Sequence, residues 1–322
     1  MTRCDLPSPF PPWVRTVGIF APAGIPDPAR LQRGCRRLEQ WGLQVVTAGL
    51  DTAPVRYLAA ADERRAEAIH ALLRNPQVDL LLAARGGFGC ARLFDRLDWG
   101  LLRRRRIPVV GYSDLSALHL AALRHGVCTG VAGPMVAVEF GRETRQPRER
   151  EALGFAASSL RRVWQGGQSV ALPPGARLQV LKRGCAAGAL VPATLSVLIS
   201  LLGTRHLPAL AGTILVLEDV HEPAYRIDRC LTQLGQAGVL DRLAGLVFGS
   251  FTLGEDAEWL PAVCAEFAAR IDGPVAAGLP FGHCSPSVAL PIGRQAVLDT
   301  RRSRPVLRWD AWRPGPSGGP LR

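Results

Sequence analysis

"VVGYSDLSALHLAAL" occupies residues 109–123, and how it is read decides the fold. An apolar, β-branched run over residues 107–110 meets Gly111. Ser113 and Asp114 follow at once, and then Leu115, Leu118, Leu120 and Leu123 recur at helical spacing. The stretch therefore predicts a strand, a tight turn and a helix. Two readings of Ser113 stay open at this point. Serine and aspartate cap helices, and the pattern alone favours that role. A strand–turn–helix elbow also exposes a serine hydroxyl beside helix-start N–H groups, which suits a nucleophile. Gly111 matches the first glycine of the G-x-S-x-G elbow, whereas Leu115 replaces the last.

Upstream, apolar runs at 16–20, 43–48 and 78–84 alternate with helical patterns at 29–41 and 61–75. Downstream, a helix closes at Gly126 and "VCTGVAG" continues the sheet. This alternation predicts a mainly parallel sheet flanked by helices. Residues 141–180 are charged, then helical, then broken by Pro173 and Pro174, which suits a connection with edge strands. Strand-like runs at 213–220 and 243–251 and helical runs over 223–240, with Pro223 near the start, and 256–270 follow, so the second half reads as α/β or mixed β. The sequence thus divides into a first α/β domain at 1–140, a connecting segment at 141–184 and a second domain at 185–322. The tail "RPGPSGGPLR" reads as frayed.

A chain of 322 residues exceeds what one core usually takes, in keeping with two domains. No run approaches the length of a membrane span, and the proline-broken N-terminus lacks a signal peptide's apolar stretch. The expected setting is the cytoplasm, with no membrane partner. Eight scattered cysteines form no C-x-x-C pair and no zinc spacing, so they read as reduced thiols and no structural metal is expected. The net charge of +12 comes from arginines that are dispersed except at 103–106 and are not interleaved with aromatics. That pattern argues against nucleic acid and leaves a general attraction for acidic small molecules.

In a parallel α/β sheet, ligands gather at the carboxyl ends of strands. Four such loops carry chemistry: "RGGFG" at 85–89, "GYSD" at 111–114, "LED" at 217–219 and "GHC" at 282–284. Serine needs a neighbouring base. Of six histidines, His70, His119 and His125 fall in or at the ends of helical patterns, and His206 and His221 in loops. His283 alone lies among small and apolar residues at a strand end. Its alternative is a loop histidine bonded to backbone. Glu218 follows the apolar run "TILVL" directly and could orient an imidazole. Asp219 and Glu222 compete with it, Glu222 also suiting the first turn of the next helix. Asp228 and Arg229 read as a structural pair on that helix. The glycines of "RGGFG" would allow backbone N–H groups to hold an oxyanion or cradle a phosphate.

Taken together, "VGIFAPAG", "ARGGFGCARLFDRLD", "VVGYSDLSALHLAAL", "LVLEDVHEPAYRIDRCLTQL" and "GLPFGHCSPSVALPIG" resemble the LD-carboxypeptidases, the serine peptidase family that includes the microcin C immunity peptidases. The resemblance runs in order from about residue 16 to 300. It implies two domains with the site at their junction and a triad of Ser113, Glu218 and His283. It also implies an oxyanion hole from the N–H groups of Gly87 and Asp114, no cofactor, and a homodimer. The implied substrate is a small peptide, usually the murein tetrapeptide cut between meso-diaminopimelate and D-alanine. Two rivals accompany it: a microcin-type detoxifying peptidase on the same triad, and a non-catalytic α/β ligand-binding protein. One departure concerns substrate preference. The family's Gly-Gly-Asn-Leu run is replaced by Pro192, Ala193 and Thr194 in what reads as a loop before an apolar helix.

Overall fold

The computed structural model describes residues 6–166, 169–252 and 256–312. The first sheet contains β1 (Thr16–Phe20), β2 (Gln44–Thr47), β3 (Leu80–Ala83), β4 (Val109–Val110) and β5 (Gly130–Ala132). They run parallel in the order β5-β4-β3-β1-β2. Every residue of β1 and β3 is buried, as expected for strands covered on both faces. The order reverses between β1 and β3, so the loops at their carboxyl ends part and leave a crevice. Those loops are residues 21–27 and 84–89.

Two of the connecting helices start at side-chain caps, Asp27 and Asp98. Helix α1 (Pro28–Gln40) has proline at its first position, and the Asp27 carboxylate accepts the Arg30 N–H at 2.7 Å. Helix α2 (Asp62–Arg74) carries Asp62 and Glu63 in its first turn. A short helix α3 (Trp99–Arg105) ends in the arginine run, where Arg105 donates to the Asn75 and Val78 carbonyls. Helix α4 (Leu115–Arg124) follows the serine elbow.

The second sheet has seven strands. Its middle is parallel: β7 (Cys185–Thr194), β8 (Ile214–Val220), β9 (Gly245–Thr252) and β10 (Val275–Ala277). Antiparallel strands flank them: β6 (Gln179–Lys182) beside β10, and β12 (Gln295–Asp299) with β13 (Val306–Trp309) beside β7. Helices α6 (Leu195–Leu201), α7 (Ala224–Gln236) and α8 (Leu260–Arg270) complete this half, and α6 packs on α4 of the first half.

Three features differ from the sequence reading, and a fourth, the helix after residue 146, fills in the stretch read as helical. Residues 188–194 are strand rather than loop. Proline at 192 is tolerated because β12 stops pairing at Ala189, so no ladder bond is lost on that side. Residues 147–165 form one long helix, α5 (Pro147–Gln165), opened by a reciprocal Gln146–Glu149 capping box. Its Trp164 stacks edge-on with Trp13 and Trp312. Strands β12 and β13 went unrecognised because their polar-punctuated sequence lacks a clean apolar run. Finally, β11 (Leu290–Pro291) leaves the second half and pairs antiparallel with β5 in the first sheet. The tail read as frayed, residues 313–322, lies outside the described residues. Among those described, no helix is long and apolar enough to cross a membrane.

Candidate active site

Ser113 sits at the carboxyl end of β4 with φ +65°, in the left-handed region that a non-glycine residue rarely occupies. Such a conformation costs on the order of 1–3 kcal/mol and persists only where the surroundings enforce it. Here they do. Gly111 has φ +153°, and a Cβ there would meet Leu115 at 2.5 Å. The buried His119 contacts the Gly111 carbonyl through Nε2 at 2.9 Å. Burial pushes the His119 imidazole down to about 4, against that hydrogen bond, so it stays neutral and donates. The Ser116 N–H donates to the Ser113 carbonyl at 2.8 Å and opens α4. No side chain caps this helix: the Asp114 carboxylate instead accepts the Cys90 N–H at 2.7 Å.

That bond ties the elbow to the glycine loop after β3. Gly86 packs directly on the serine; a Cβ there would lie 2.7 Å from Ser113 Cβ and 2.9 Å from its Oγ. Gly87 has φ +122° and touches Gly24, whose N–H donates to the Gly86 carbonyl at 3.0 Å. The fully buried Arg65 holds the loop from below through the carbonyls of Gly89 and Pro22. Neither the Gly87 N–H nor the Asp114 N–H has a hydrogen-bond partner among the described residues.

Glu218 comes from the other sheet. It is fully buried in β8, opposite a register shift in β9 at Gly249 and Ser250, the kind of bulge that re-aims side chains beside sites. Both of its oxygens are engaged. Oε1 accepts the Thr194 hydroxyl, and Oε2 accepts His283 Nδ1 at 2.9 Å and the His283 backbone N–H at 3.1 Å. Its sequence competitors are occupied elsewhere. Asp219 points to the opposite face and accepts the Ser196 and Val220 N–H groups. Glu222 pairs with Arg226 at 2.8 Å. Asp228 and Arg229 do not pair with each other: Asp228 accepts the Thr232 hydroxyl, and Arg229 lies over the Tyr225 ring. Adjacent helical residues face apart, which the expected pair overlooked.

His283 lies in the loop that leaves β10 in one sheet and reaches β11 in the other. Its Nε2 is 3.0 Å from Ser113 Oγ. Gly282, at φ +97°, makes room for the carboxylate: a Cβ there would fall 2.2 Å from Glu218 Oε2. With Nδ1–H donated to Glu218, Nε2 is left to accept the serine proton. Burial alone would lower the His283 imidazole. The hydrogen bond and charge of Glu218, helped by Asp219 and Glu139, outweigh it and hold the group above its ordinary value.

Sequence reasoning missed two contributors. Tyr112 sets its ring edge-to-face on His283, centroids 5.2 Å apart, and donates its hydroxyl to Glu139 at 2.9 Å. Glu139 also accepts the Met135 N–H; its carboxyl group lies inward, and burial raises it despite those bonds. Thr194 is the other. The sequence marked it only as part of the Pro192–Thr194 departure, read as a loop bearing on substrate preference and not as a partner of the glutamate. A cleft of about 240 Å³ opens over Ser113, walled by Gly86, Gly87, Tyr112, His283, Arg30 and Arg85.

Comparison with known proteins gives one family. Residues 17–133 match the LD-carboxypeptidase N-terminal domain and residues 187–298 the LD-carboxypeptidase C-terminal domain. A putative carboxypeptidase of Streptomyces coelicolor is 39% identical over 88% of this chain and 90% of its own length. The murein tetrapeptide carboxypeptidase of Pseudomonas aeruginosa is 36% identical over 91% and 94%. Among solved structures, the muramoyltetrapeptide carboxypeptidase of Oxalobacter formigenes superposes with a TM-score of 0.81, at 28% identity, over 93% of this chain and all of that one. The wild-type microcin C7 self-immunity protein, at 19% identity, shares the fold with a TM-score of 0.83. A two-sheet α/β architecture and matches along most of its length thus lead to one conclusion: the chain belongs to the LD-carboxypeptidases and is a carboxypeptidase of the serine type.

Proposed function

We propose that this enzyme releases the terminal D-alanine of the murein tetrapeptide by cleaving its amide to meso-diaminopimelate. Ser113 is the nucleophile, His283 the general base and acid, and Glu218 the carboxylate that orients it. The Ser113 hydroxyl attacks the carbonyl carbon as its proton passes to His283 Nε2, while the N–H groups of Gly87 and Asp114 receive the oxyanion. The tetrahedral adduct collapses, the C–N bond breaks, and His283 returns its proton to the departing amine. Water then attacks the acyl-serine, its proton again taken by His283, and the shortened peptide leaves with Ser113 restored. Glu218 keeps its hydrogen bond from His283 Nδ1 and stabilises the imidazolium at each stage.

The observation that carries this reading is the unbroken chain Ser113–His283–Glu218, with contacts of 3.0 and 2.9 Å between residues of two different sheets. The names of the relatives supply the substrate. The test is tetrapeptide turnover followed by mass spectrometry with Ser113→Ala beside the parent. A loss on the order of 10⁶ in turnover is expected; release of D-alanine at the parent rate would overturn the assignment. The resemblance extends the proposal to a cytoplasmic homodimer that recycles cell-wall peptides, and light scattering tests the dimer.

One observation favours a second reading, a detoxifying peptidase acting on an aminoacyl nucleotide. Tyr57 and Phe88 form an exposed edge-to-face pair beside Gly87, where a base could stack. Hydrolysis of an aspartyl sulfamoyl adenosine faster than the tetrapeptide would select it.

A further inference from the structure

An enzyme that removes one terminal residue must recognise the terminus, and the departing D-amino acid carries one charge, its carboxylate. That carboxylate is attached to the carbon next to the scissile nitrogen. Standard bond lengths put its oxygens no more than about 5 Å from the attacked carbon. Its counter-charge must therefore come from the wall of the cleft over Ser113. Two arginines line that cleft, Arg30 and Arg85, and neither has a carboxylate within ion-pairing distance among the described residues.

Their guanidinium groups differ in what they have left to offer. Arg30 is tied through Nη2 to the Val138 carbonyl at 2.8 Å, which occupies one half of the Nε–Nη2 edge that grips a carboxylate with two parallel bonds. Arg85 spends only Nη1, on the Ile25 carbonyl at 3.1 Å. Its Nε and Nη2 make no hydrogen bond to any described residue, so the two-pronged edge is intact. The group is also held in place. It lies against Gly24, where a Cβ would be 3.5 Å from Nε, and Gly24 in turn touches Gly87. Arg85 immediately precedes Gly86 and Gly87, in the loop that packs on Ser113.

Building on the peptidase reading, we propose that Arg85 is the specificity residue that binds the free carboxylate of the leaving D-amino acid through Nε and Nη2. This confines the enzyme to peptides that end one residue beyond the scissile bond.

The test compares murein tetrapeptide ending in D-alanine with the same peptide ending in D-alaninamide. The parent is expected to favour the acid by about 30-fold or more in kcat/KM, the scale of one charged, two-bond contact. Arg85→Gln should lose that factor on the acid and little on the amide, so that the preference collapses. Arg85→Lys should restore part of it. Arg30→Ala, read beside them, should keep the preference. The inference is overturned if Arg85→Gln retains the parent's preference, if Arg30→Ala is the variant that abolishes it, or if the parent treats both peptides alike. A parent enzyme that cleaves neither peptide, releasing neither D-alanine nor D-alaninamide, would overturn the peptidase reading with it, whereas an active parent with an unchanged Arg85→Gln preference overturns the Arg85 inference alone.

Discussion

The two walls of the cleft hold their reactive groups by different means. On the serine side, backbone conformation does the positioning: Ser113 at φ +65°, with glycines at 86, 87 and 111 where side chains would collide. Ser113 stays partly exposed at the floor of the cleft. On the glutamate side, side-chain hydrogen bonds do it. Glu218 is fully buried in β8, and both oxygens are satisfied by Thr194 and His283. A group that must meet substrate is set by a strained turn, while a charge that must never meet water is set by a closed network, because an unpaired buried carboxylate is costly.

Three experiments can break or sharpen this contrast. The largest effect is expected at Glu218. Glu218→Gln should lower kcat on the order of 10⁴-fold, the scale seen for orienting carboxylates, whereas Glu222→Ala, which only frees Arg226, should stay near the parent. The pH profile gives a second readout. Protonated His283 cannot accept the serine proton, so kcat/KM should fall as pH drops through an apparent pKa above the ordinary histidine value. In Glu218→Gln that limb should move down, since burial is then opposed only by the weaker pull of the Asp219 and Glu139 charges. An unmoved limb would break the link between the carboxylate and the imidazole.

Next come two glycines, one from each wall. Gly86→Ala places a methyl 2.9 Å from Ser113 Oγ at a position with no unusual φ. It should cost about 10²–10³ in kcat, the penalty of a misplaced nucleophile, with thermal stability nearly intact. Gly282→Ala combines φ +97° with a clash against the buried Glu218 carboxylate and should lower stability by roughly 2–4 kcal/mol besides. Equal stability losses in a melting experiment would erase the distinction between the walls. The smallest effect belongs to Thr194→Val, which removes the hydroxyl from Glu218 Oε1. A cost of about 1–2 kcal/mol and a loss near tenfold in kcat are expected, with Thr194→Ser restoring most of both.

Much of this was legible in the sequence, unevenly. Strands β1, β3, β4, β8 and β9 announce themselves because buried parallel strands are continuous apolar runs. The elbow is visible at Gly111 and Ser113, and His283 stands out by its apolar setting. Choosing Glu218 over Asp219 was harder, since adjacent strand residues differ only in the face they take, which the sheet decides. Residues 188–194 were misread because Gly188 and Pro192 are loop signals locally, and only the short reach of β12 makes a proline acceptable there. Tyr112–Glu139 and Thr194–Glu218 are contacts between distant segments, and no spacing rule reports them.

Strand β11 carries a consequence for how the protein is put together. The stretch bearing His283 is moored at one end in the second sheet and at the other in the first, through Leu290 opposite Ala132 and Pro291 opposite Val131. The imidazole therefore hangs on a strap buckled to both halves rather than on the tip of a swinging arm. The halves are stitched together at the very place where they must cooperate, and a piece ending before residue 283 would lack both that imidazole and an edge strand of its first sheet.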